Sequence, residues 1–261
     1  MRTGLDVAAL MILWVCSEGL LQVLVEPWIY GITIGGVGFG ISAVLLLVGQ
    51  KMSDPVTPAI AAAMMPIAGA AVEVVFDKRR LRLHLLLSIV LAFAGGLLVG
   101  GVNLSNGTFG LGSVFCVVAI FLFAWVTRAA THDFQSLSSI GQTTINLVGC
   151  LFVVIIIYGA CFITGLGEIH VESLDSVSLI LLFGMAIASI AVGQLLWIWG
   201  VGGLGVLFAS LHMNVAPFYV IAIVVVFMGE QWVWGQAFGA ALVGVGVLVA
   251  QSPNWRAQAK V

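Results

Sequence analysis

The feature that most constrains this chain is a succession of long apolar runs joined by connectors that are mostly only a few residues long. A bilayer's hydrocarbon core of about 30 Å takes roughly 20 apolar residues in helical form. On that measure the sequence divides into nine spans, 5–25, 29–49, 56–76, 82–101, 110–129, 143–164, 176–199, 204–228 and 232–251. The runs are too long, and too poor in apolar–polar alternation, to be transmembrane β-strands. Short connectors make consecutive spans antiparallel neighbours. Charge supports the same conclusion. Only 8% of the residues are charged and 62% are hydrophobic, whereas a soluble domain carries about 25% charged residues. The expectation is an all-α polytopic membrane protein.

What is missing narrows the function classes. A net charge of −2 offers no basic surface for nucleic acid. Cys16, Cys116, Cys150 and Cys161 all fall in apolar runs without CxxC or Cys/His spacing, and read as small hydrophobes rather than metal ligands or disulfides. There is no HExxH, no P-loop and no nucleophile motif, so neither enzymatic nor ATP-driven chemistry is expected, and no cofactor or metal.

Orientation follows from the basic residues, which gather in cytoplasmic loops. Lys78, Arg79, Arg80, Arg82, Arg128, Arg256 and Lys260 lie on one side of the nine-span plan, and only Arg2 and Lys51 on the other. The C-terminus is therefore expected inside and the N-terminus outside, in a plasma membrane. The first run reads as a span rather than a cleaved signal. Its basic lead is only Arg2, Glu18 interrupts the apolar stretch, and no A-x-A site follows.

The chain also contains a partial copy of itself. Setting Pro66 over Pro217, an offset of 151 residues, places VVFD (74–77) over VVFM (225–228) and Gly95 over Gly246. It also places Gly49 over Gly200, and Gly40 over Ala191. Spans two to four thus correspond to spans seven to nine, and span one to span six. Copies an odd number of helices apart insert with opposite orientation, which is the inverted-repeat plan of secondary transporters.

The segment 209–250, with A-S-L-x-M-N-x-x-P, then F-M-G-E-Q, then G-A-A-L-V-G-V-G-V-L-V-A, resembles the end of an EamA-type domain of the drug/metabolite transporter superfamily. Residues 55–101 resemble the same part of a first such domain, more loosely. The resemblance implies a 5+5 inverted repeat, here present as 4+5, with halves at 1–103 and 104–261 and the first helix of the plan missing ahead of Arg2. It implies alternating-access transport of a small metabolite, with the last helix of each half supporting packing or a homodimer. Other readings are a non-transporting truncated homologue, a partner subunit of a membrane complex, or a lipid flippase.

Within the spans, polar residues mark a candidate substrate pathway. Helical spacing puts Trp14, Glu18 and Gln22 on one stripe. A carboxylate in a span costs about 2.5–3.5 kcal/mol on insertion scales, so Glu18 should face protein or a watery cavity, where it could exchange protons with a substrate cycle. The alternative is a structural glutamate joining two helices. Pro217 withdraws a backbone hydrogen bond close to His212 and Asn214, and Tyr219 shares the stripe of His212. His212 and Asn214 lie on opposite sides of the helix, so both cannot face one pathway. Pro66 marks the repeat-related place, and Gln194 with Trp197 lies in the seventh span. Glu73, near the Lys78–Arg82 cluster, is expected to pair with it, and Glu230 to fix the corner before the last span. Gly31, Gly35, Gly36, Gly40, Ala92, Gly96, Gly100, Gly235 and Gly239 sit in small-xxx-small patterns suited to close helix packing.

Overall fold

A computed structural model describes residues 2–19, 28–53, 61–99, 110–164, 180, 183–184, 191–214, 219, 223, 226–227 and 234–250. Among them the regular structure is entirely helical. In chain order the helices are α1 (Arg2–Glu18), α2 (Trp28–Lys51, with a π-helical turn at Gly36–Gly40), α3 (Met65–Asp77), α4 (Leu83–Val99) and α5 (Leu111–His132). They continue with α6 (Ser139–Ile163), α7 (Val192–Leu204), α8 (Val206–Met213) and α9 (Trp234–Ala250). Three of them, α2, α5 and α6, are long and apolar enough to cross a bilayer, and several shorter helices are equally oily. Large apolar side chains point outward along them, Ile29 at 83%, Leu83 at 82% and Ile163 at 85% exposure. A water-facing surface rarely tolerates so much contiguous oil. The molecule is compatible with a helical membrane protein.

The helices form two compact units, each assembled from two separate stretches of the chain: residues 1–44 with 125–203, and residues 45–124 with 204–261.

In the first unit α6 is the hub, with α1 and the N-terminal part of α2 packed on it. Ser138 caps α6 by accepting the Gly141 N–H at 3.2 Å, as a serine does at a helix start. The first half of α6 is enclosed, with Gly141–Leu147, Gly149 and Cys150 buried. Its second half turns Phe152, Ile155, Ile156 and Phe162 outward. Thr143 and Thr144 survive in the enclosed half because each hydroxyl donates to the carbonyl four residues back, at 2.7 Å. The π turn of α2 is where backbone meets backbone. A methyl group added at Gly149 would lie 2.4 Å from the Ile32 oxygen and 2.7 Å from the Gly36 nitrogen, so Gly149 admits no side chain.

In the second unit α4 lies along α9 and α3 against α8. Leu85, Ile89, Ala92, Leu207, Phe208, Leu211 and Val247 make its core. A methyl at Gly95 would sit 2.5 Å from the Gly239 oxygen and 2.9 Å from the Val243 nitrogen, so α4 and α9 touch through backbone. Gly239 therefore serves the packing expected of it. At Gly235 a methyl would meet nothing within 4 Å among the described residues.

One of the expected spans is broken and one boundary is moved. The run 56–76 is not one continuous helix: residues 61–63 are helical, Met64 makes a turn, and α3 starts afresh with Pro66 in its first turn. Proline is well placed there, since the first turn needs no N–H from it. The seventh run continues to Leu204, and Gly205 at φ +83° separates it from α8. That left-handed backbone suits glycine.

Candidate functional site

The polar groups of the first unit collect along one face of α1 and on the enclosed half of α6. Asp6, Leu10 and Trp14 recur every four residues and are all buried, and Glu18 continues the row. Trp14 Nε1 donates to Glu18 Oε2 at 3.0 Å. The Trp14 ring also packs against Gly141, where an added methyl would lie 2.9 Å from Cζ2, and tilts against Trp28 with centroids 5.8 Å apart. Trp14 is thus a buried wedge between α1 and α6 that holds the half-buried carboxylate of Glu18 by one oxygen. Asp6 is the acid that sequence reading passed over. It sits at the edge of the first run, where a charge is normally read as a solvated end, yet it is completely buried. The i+4 row shared with Trp14 and Glu18 is the signal that marks it.

On α6, Gln142 Nε2 donates to the carbonyls of Phe134 and Leu137, at 2.9 and 3.2 Å, tying down the connector that precedes the helix. Asn146 Nδ2 donates to the Gln142 carbonyl at 2.6 Å, while its buried Oδ1 has no donor among the described residues. Trp197 on α7 donates to the buried Thr127 hydroxyl at 3.3 Å, and Gln194, one turn before it, is half-buried. At the end of this unit Tyr30 donates to Asp133 at 3.3 Å, and Arg128 lies 3.5 Å from the same carboxylate.

In the second unit His212 is exposed, its Nδ1 meeting the Phe208 carbonyl at 2.8 Å, and Tyr219 is exposed as well. Asn214 closes α8, its backbone N–H bonding the Ser210 carbonyl at 3.2 Å, and its buried Nδ2 has no acceptor among the described residues. Pro66 is buried in the first turn of α3. Gln22, Pro217 and Glu230 lie outside the described residues. Of the pathway candidates, then, the fold brings Trp14 and Glu18 into direct contact, and places His212 and Asn214 in different surroundings.

Glu73 engages both of its carboxylate oxygens. One oxygen pairs with Arg79, and the other accepts the Leu207 N–H at 2.9 Å in the first turn of α8. Leu207 would otherwise be one of the unsatisfied donors of a helix start. Arg79 also lies 4.9 Å above the Phe208 ring, a cation–π distance. Gly205 is pressed against this carboxylate: an added methyl would be 2.7 Å from Oε1. The pairing partner is specifically Arg79. The reach to α8 was not legible in the sequence.

Neither a protein-family profile nor a curated protein matches the chain. Solved structures do. The chain is similar to a protein known by its crystal structure, with a TM-score of 0.79 at 18% identity, over 98% of this chain and 87% of that one. At that identity the likeness establishes a shared fold.

Proposed function

We propose that this chain is a secondary transporter of the EamA-type drug/metabolite class, moving a small metabolite by alternating access, with Glu18 as a proton-exchanging group. The observation that carries the reading is the recurrence of backbone irregularity at the 151-residue offset. Gly40 ends the π turn of α2, and Ala191, its counterpart, is itself π-helical. Met64 interrupts the helix two residues before Pro66, and Asn214 ends α8 three residues before Pro217. The expected repeat partners also pack together, α3 with α8 and α4 with α9. Broken helices at matching places in two halves are where transporters of this plan hold substrate, because the loosened backbone offers its own hydrogen-bonding groups. π turns inside helices likewise concentrate at functional positions. The nine-span plan, with N-terminus outside and C-terminus cytoplasmic in a plasma membrane, belongs to the same proposal, as does a homodimer.

Side-specific labelling tests it. In a variant lacking Cys16, Cys116, Cys150 and Cys161, Asn214→Cys should react with a membrane-impermeant maleimide from both faces of the membrane, as the site opens alternately. Reaction from one face only, under all conditions, would contradict alternating access.

A further inference from the structure

We propose that the connector 78–82 is a binding site for the phosphate headgroup of an anionic phospholipid, held by Lys78, Arg80 and Arg82. The sequence K-R-R-L-R places five residues between α3 and α4, and the fold sorts them by alternation. Lys78, Arg80 and Arg82 are exposed, while Arg79 and Leu81 are half-buried. Arg79 is held inward by Glu73 and the Phe208 ring, and Leu81 packs on the core of Leu85, Leu207 and Phe208. Lys78 is fixed as well. It takes the left-handed conformation, φ 52°, with its N–H on the Glu73 carbonyl. Three cations are therefore directed outward by two anchored neighbours, and none of the three has an ion-pair partner among the described residues.

The surface on either side is oil. Val75 and Phe76 before the connector, and Leu83, Leu86, Leu87 and Val90 after it, are all exposed. Cations at the rim of a lipid-facing surface stand at headgroup depth. The stretch 74–99 holds a single carboxylate, Asp77, against the three cations. The start of α4 at Leu83 adds the positive end of a helix dipole at the same point. The bias that orients a chain during insertion requires cations on one side of the membrane, but not cations fixed on one face of an anchored connector. The geometry here suits a partner with a phosphate at one end and acyl chains at the other.

The test compares lipids on the purified full chain in detergent, by native mass spectrometry and by thermal melting. Wild type should retain phosphatidylglycerol in preference to phosphatidylcholine and melt higher with it, an effect that falls as salt is raised. Each cation removed should weaken phosphatidylglycerol binding about fivefold, so that the K78Q/R80Q/R82Q variant loses on the order of a hundredfold. Should that variant fail to fold, R80Q alone must still show the fivefold loss. Equal retention of the two lipids by wild type, or undiminished phosphatidylglycerol binding in the variants, would overturn the proposal. A melting shift produced equally by inorganic phosphate would overturn its assignment to a lipid.

Discussion

Among the described residues two glutamates sit in apolar helices, and the fold treats them differently. Glu73 on α3 is almost fully buried and both its oxygens are engaged, one by Arg79 and one by the N–H of Leu207. Glu18 on α1 is half-buried, and the bond that Trp14 donates goes to a single oxygen. A carboxylate with its charge neutralised and its lone pairs used has become a structural joint. One held on a single side keeps capacity for another partner. The same contrast separates Gln142, whose amide ties down a connector, from Asn146, whose buried Oδ1 has no donor among the described residues. Hydrogen-bond saturation, rather than residue type, thus marks where a polar group in oil is available for work.

The comparison can be broken by substitution, and the largest effect should come from the saturated side. Glu73→Ala leaves Arg79 without its anion and the Leu207 N–H without an acceptor. Removing one partner of a buried pair costs about 3–5 kcal/mol; with Arg79 a quarter exposed, roughly 3 kcal/mol is expected, read as a lowered Tm in detergent. Glu73→Gln keeps an acceptor for Leu207 and loses only the charge, so its cost should be about half as great. If Glu73→Gln matched Glu73→Ala, the helix-capping half of this description would be wrong. At Glu18 the same Gln exchange should change stability by less than about 1 kcal/mol, since an amide oxygen still accepts from Trp14. A loss there as large as at Glu73 would erase the distinction between the two sites. The smallest effect is a gain. Lys78 occupies a left-handed position that costs an L-residue about 1 kcal/mol, so in detergent free of anionic lipid Lys78→Gly should raise stability by up to that amount, in an equilibrium or thermal unfolding measurement.

Much of the helical architecture was legible in the sequence, because apolar helices are written in length and oiliness. Each of the nine apolar runs contains described helix, α1 through α9 in order. What composition could not convey was where the backbone interrupts itself. Pro66 looked like a mid-helix proline, yet it opens a helix after the turn at Met64. The break between the seventh and eighth runs was expected at 200–203, yet the helix runs on to Leu204 and it is the positive φ of Gly205 that ends α7 and starts α8. The offset of 151 residues was visible in scattered identities, but the shared π conformation at Gly40 and Ala191 leaves no residue signature beyond glycine and alanine. At the candidate site the Trp14–Glu18 pair followed from helical spacing. Asp6 escaped notice because it lay at the margin of a span, and burial depends on the packing of α1 against α6, which one helix's sequence does not contain. The reach from Glu73 to Leu207 spans 134 residues, beyond any local pattern.

The central claim is that Glu18 works in transport while Glu73 holds the fold together. The most direct measurement is comparative metabolite profiling of cells and medium for strains producing no protein, wild type, or Glu18→Gln at equal membrane abundance. The account predicts that wild type redistributes at least one small metabolite between cell and medium, and that Glu18→Gln does not. No metabolite moved by wild type, or the same metabolite moved equally by Glu18→Gln, would contradict it.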